Sequence, residues 1–102
     1  MREAVIIMPR DNPQASAHLR LLLLDRFGGY TQHEAAGAWR DPAGKVLHDH
    51  HNVFTVACDV TFADVERMQQ LRVIAATAGR EANQQCVYLR GFNGVVELVP
   101  CT

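Results

Sequence analysis

No run of 18 apolar residues occurs in this 102-residue chain, so nothing in it reads as a membrane-spanning helix. The apolar stretch near the N-terminus, Val5 to Met8, is cut off by Pro9 and is too short for a secretory signal. An excess of basic charge is also missing. Ten Lys and Arg stand against 11 Asp and Glu, for a net charge of −1. Phosphate contacts dominate nucleic-acid affinity, so this balance argues against a general nucleic-acid binder. The cysteines (Cys58, Cys86 and Cys101) are odd in number and lack CxxC spacing, which argues against a disulfide framework or a zinc ribbon. Serine occurs once, at Ser16, and no Walker, Rossmann or nucleophile-elbow pattern is present. These absences point to a single cytoplasmic domain with free thiols. Cys58 and Cys86, in apolar segments, read as small buried hydrophobes, and Cys101 as an exposed tail thiol.

What is present is ordinary globular material, 48% hydrophobic and 21% charged. "EAVIIMP" (3–9) is a continuous apolar run and reads as a central strand buried on both faces. "RDNP" then signals a helix start, with Asn12 as cap and Pro13 at the first helical position. The helix is expected to stop at Gly28-Gly29. Its core stripe is Ala15, Leu19, Leu22, Leu23 and Phe27. A second stripe, Ala17, Leu21 and Leu24, is turned away from the first, suited to a wider core or to another subunit. Residues 30–59 read as a hairpin around the turn "DPAG" (41–44). A second helix follows, capped by Thr61, with Asp64 in its first turn. Its stripe is Phe62, Val65, Met68, Leu71, Ile74, Ala75 and Ala78, and Gly79 is read as its end. Asn93-Gly94 marks a last hairpin in which both turn residues take positive φ.

The order β-α-β-β-α-β plus one strand is that of an α+β, ferredoxin-like βαββαβ sandwich with an extra C-terminal hairpin strand. Two right-handed crossovers put both helices on one face of an antiparallel sheet of order 5-4-1-3-2. The other face has no helix to cover it, which leads to the expectation of a homodimer or higher oligomer.

The segment "RFGGYTQHEAAGAWRDPAGKV", with its F-G-G-Y-T, its G-x-W and its glycine turn, followed later by a "VYL" strand, resembles small ferredoxin-like proteins of phages, plasmids and other mobile elements. The resemblance covers most of the chain. It implies the compact α+β fold and no particular reaction.

Candidate chemistry centres on "HDHH" (48–51). Alternation along a strand places His48 and His50 on one face, Asp49 and His51 on the other. If Arg40 pairs with Lys45, His33 lies diagonally from His50, and His33, His48 and His50 converge as ligands for a divalent transition metal. A solvated hairpin edge is the plainer alternative. Trp39, beside the turn, together with Tyr30 and His33, is a candidate for contact with a small molecule or protein partner. The leading expectation is a small accessory or binding protein with its surface on the open sheet face or in a subunit cleft, not catalytic and without a cofactor. The alternative is a metal-binding protein or small enzyme using His33, His48 and His50.

Overall fold

A computed structural model describes residues 1–60 and 64–101. The chain forms β1 (Arg2–Pro9), α1 (Pro13–Phe27), β2 (Thr31–Arg40), β3 (Val46–Cys58), α2 (Val65–Glu81), β4 (Cys86–Arg90) and β5 (Val96–Pro100). The five strands make one antiparallel sheet of order β2-β3-β1-β4-β5. This is the expected α+β architecture. No helix among the described residues is long and apolar enough to cross a membrane.

Local chemistry sets the helix ends. Asn12 Oδ1 accepts from the Ala15 N–H at 2.9 Å, which satisfies one of the free donors at the start of α1, and Pro13 follows in the first turn. Gly28 adopts φ 81° and donates its N–H to Leu24, closing the helix in the left-handed position that glycine takes without steric cost. Asp64 caps α2, its carboxylate accepting from the Arg67 N–H at 3.0 Å. The expected cap Thr61, and Phe62, lie outside the described residues.

Strand alternation divides the chain between two environments. Ala4, Ile6 and Met8 of β1 point to the helices and are buried, level with Val56, Phe54 and Asn52 of β3. Leu19 and Leu23 of α1, with Leu71, Ala75 and Ala78 of α2, close over them. Burial of such side chains contributes roughly 1.5–3 kcal/mol each before entropy is subtracted. Within this core Asn52 Nδ2 donates to Ser16 Oγ at 3.3 Å, so the single serine is a buried packing partner. Val5 and Ile7, on the other face of β1, are only half-covered, because no helix lies there. The central strand is therefore buried on one face, not on both.

Three further expectations are corrected. Gly79 does not end α2, which continues to Glu81. It is a buried close-approach position, because a Cβ there would lie 2.2 Å from Cys101 Sγ and 2.5 Å from a Val87 methyl. Val65, assigned to the core stripe, is exposed at the start of α2. The cysteines exchange roles: Cys101 is fully buried against α2, while Cys86 is exposed. The parity of β5 explains this, since Val99 and Cys101 share the helix-facing side. The Cys101 N–H also donates to Gln85 and holds the C-terminal segment against the sheet. Arg72 of α2 grips Glu97 of β5 with two hydrogen bonds, 2.7 and 3.2 Å, and secures the same edge.

Two outcomes are expected. Gly79→Ala, which would gain stability in an isolated helix, here lowers it by roughly 1–3 kcal/mol through overpacking, read from urea denaturation. Burial pushes the Cys101 thiol above its ordinary value of 9.0, with Cys86 adding to the shift and Arg80 opposing it. The unfolded thiol therefore ionises first, and its contribution to stability, fully present below that ordinary value, is lost as pH rises beyond it. Cys101→Ala flattens that alkaline limb, and in the unmodified chain a thiol reagent labels Cys86 first and Cys101 only on unfolding.

Candidate functional site on the open sheet face

The site begins with a turn. Gly44 takes φ 86° and donates to the Asp41 carbonyl at 2.9 Å, and Asp41 in turn donates its N–H to Lys45. This is a three-residue loop, a type I turn closed by a left-handed glycine bulge. The Asp41 side chain reinforces it by accepting from the Lys45 N–H at 2.8 Å. The same geometry recurs at Gly91–Val95, where only Gly94 takes positive φ and Asn93 does not.

The loop moves the register by one residue from the expected pairing. Arg40 pairs with Val46, Ala38 with His48, Gly37 with Asp49, Ala36 with His50 and Ala35 with His51. A slip of one residue transfers side chains to the opposite face. His33, paired with Val53, therefore lies on the open face, while His48 and His50 lie on the other. The three do not converge, which corrects the expected metal triad. Among the described residues no group of three or more His, Cys, Asp or Glu is placed to hold a metal ion. Tyr30 lies away from these residues: its ring packs edge-on against Phe54 of the core, at 6.1 Å between centroids, and it lines a separate hollow with Gly28, Gly29 and Thr31. Trp39 remains exposed beside the turn, as expected.

The register instead brings the other pair of the "HDHH" cluster to the open face. Asp49 and His51 of β3 share the open face with Gly37 and Trp39 of β2. His51 is level with Pro9, Ile7 with Tyr88, and Tyr88 with Leu98. The result is a trough of about 910 Å³ crossing all five strands at the end that carries the β2–β3 turn. Ile7, Tyr88 and Leu98 give it an apolar floor, Trp39 forms a wall, and Asp49 and His51 supply polar groups. His48 and His50, whose side chains alternate to the opposite face, also border it. Arg10, also at the rim, is engaged by Glu34 at 3.3 Å and donates its backbone N–H to His50.

Gly37 shapes this trough. The His51 imidazole lies across β2 at this position, where a Cβ would just meet it, 3.4 Å from Nε2. A concave apolar surface with an aromatic wall and a few convergent polar groups is the usual form of a small-molecule site. An indole and a phenol offer flat faces for a heteroaromatic ring, and a carboxylate beside an imidazole can hold hydroxyl or cationic groups.

No known family's sequence profile and no curated protein matches the chain. Two solved structures share its fold. A phage SAM lyase in complex with S-methyl-5′-thioadenosine aligns with a TM-score of 0.69 at 9% identity, over 96% of this chain and 88% of that one. A phage SAM lyase in the apo state aligns at 0.64 and 10% identity, over 93% and 82%. The likeness runs through the whole architecture, and at such identity it is a likeness of fold.

Gly37→Ala is expected to set a methyl group against the His51 ring while leaving the fold within about 1 kcal/mol of the parent, as for other modest volume changes at partly open positions. The His51 imidazole carbon resonance should move and that of His33 should not; a stationary His51 signal would contradict the packing described.

Proposed function

We propose that the open-face trough binds an adenosyl sulfur compound, of the class held by the phage SAM lyase that shares this fold, and that the protein cleaves S-adenosylmethionine to release the thioether. The whole-length match to an enzyme seen with S-methyl-5′-thioadenosine carries this reading. The trough supplies suitable chemistry. Trp39 gives a stacking face for adenine, Ile7 and Leu98 an apolar bed for the methylthio group, and Asp49 an acceptor for ribose hydroxyls or a counter-charge for a sulfonium.

A sulfonium carries its own leaving group. Breaking its bond to the aminocarboxypropyl chain returns the electron pair to sulfur, which departs as the neutral S-methyl-5′-thioadenosine, while the chain's own carboxylate oxygen bonds the freed carbon and closes a lactone, so no outside nucleophile and no proton transfer is required. The protein's task in this reaction is to hold the substrate folded, to stabilise charge as it moves, and to keep water from the reacting carbon. A small single-domain enzyme of this kind suits a phage or other mobile element, where the resemblance of the "FGGYT … GAW" segment also points.

Because Trp39 is the only tryptophan, its fluorescence reports on the site directly. Addition of S-methyl-5′-thioadenosine should quench or shift it. Trp39→Ala should weaken binding in calorimetry by roughly 1–3 kcal/mol, the scale of one lost base–aromatic stack. Asp49→Asn should weaken S-adenosylmethionine more than the neutral thioether, and His33→Ala should change neither. Chromatographic detection of S-methyl-5′-thioadenosine released from S-adenosylmethionine tests the lyase step. Binding without release leaves a binding protein, and absence of both at millimolar ligand overturns the proposal.

A further inference from the structure

The outer side of the helical layer holds a second concave surface, unrelated to the trough. α1 and α2 lie antiparallel, since Arg67 at the start of α2 donates to the Arg26 carbonyl at the end of α1, and His18 near the start of α1 bonds Glu81 at the end of α2. Between them runs a groove of about 690 Å³ with Leu22 and Ile74 in its floor. Beside it the surface is apolar and open to solvent: Leu21 is 65% exposed and Val73 55%, while Leu24, 47% exposed, lies further round α1. Leu21 and Leu24 belong to the second leucine stripe of α1, which the core does not use. Contiguous apolar surface of this kind, bordered by charge, marks an interaction site.

We propose that this surface binds a second copy of the chain through a two-fold axis running parallel to the helices. Charge placement selects this occupant. Arg26 and Glu66 line the same end of the groove, one from each helix. An axis parallel to the helices lays α1 over the partner copy's α2 while preserving the level along the layer. Each Arg26 then meets a Glu66 of the other copy, twice per dimer, and each Leu21 falls level with the opposing Val73. The surface is thus complementary to itself in charge, as a two-fold interface requires. Within one chain the Arg26 guanidinium makes a loose, exposed contact with Asp25 at 3.7 Å, which leaves its charge available to engage across the axis. The arrangement forms a four-helix layer and leaves both sheet faces outward, with the troughs open.

Sedimentation equilibrium on the full chain at low salt tests this. The parent is expected to be dimeric, and the double variant Leu21→Glu/Leu24→Glu monomeric with an unchanged circular dichroism spectrum, since neither leucine is in the core. Arg26→Glu and Glu66→Arg should each weaken the dimer by about tenfold, because like charges then face each other twice. Mixing these two single variants should restore association. In the mixed dimer the introduced carboxylate of one chain meets the introduced guanidinium of the other, and the native Arg26 and Glu66 that remain meet at the second contact. Restoration in trans distinguishes an interface from an effect within one chain. A monomeric parent, a dimer that survives the leucine substitutions, or single variants that fail to complement would each overturn the proposal. None of these outcomes depends on whether the trough binds a nucleoside.

Discussion

Parity along β3 is the constraint on which the arrangement of this protein rests. Side chains alternate between a face sealed by two helices and a face left open, so every residue of the hairpin is committed by one choice of pairing. That choice is made by the pairing of β3 with β1, from Arg2 with Cys58 to Pro9 with His51, which delivers Phe54 and Val56 to the core and Asp49 and His51 to the trough. The hydrogen bond from Asp41 to Lys45 and the left-handed step of Gly44 then set β2 against β3, in a pairing that carries through to Thr31 and Thr55 and puts Gly37 and Trp39 on the trough side. With β3 moved one residue along β1, an imidazole and a carboxylate would lie under the helices and aromatic bulk in water.

The helices and the trough are linked through this division. The two helices bury Ala4, Ile6 and Met8 of the central strand and leave Val5 and Ile7 half-covered. That half-cover provides an apolar floor on which polar groups can be set at one end. Small antiparallel sheets with helices on one side offer such a face at no added cost in chain length. The phage SAM lyase structures share this fold over 88% and 82% of their chains.

Much of the fold is legible in the sequence because its signals are local. Asn12 and Pro13 announce a helix start whatever surrounds them, Gly28 announces its end, and the unbroken apolar run of β1 requires a central place in the sheet. What is not legible depends on neighbours distant in sequence. Gly79 looks like a helix stop until Cys101 and Val87 are seen pressed against it. Cys101 looks like a loose tail residue until the parity of β5 is known. The site is half legible: Trp39 and the histidine cluster stand out, but a four-residue turn groups the wrong histidines. The signal that groups them correctly is present, since a glycine closing "DPAG" favours a bulged three-residue loop.

The turn at Asp41–Lys45 therefore has an evolutionary side. Most proteins alter a binding surface by exchanging side chains one at a time. Here a change confined to the loop, of a kind that removes the glycine bulge, would slide the edge strand β2 by one residue against β3, which β1 holds in place, withdrawing Gly37 and Trp39 from the trough and setting Ala36 and Glu34 beside Asp49 and His51. A lineage carrying this fold has available a single heritable step that replaces one set of surface chemistry with another already written in the same strand.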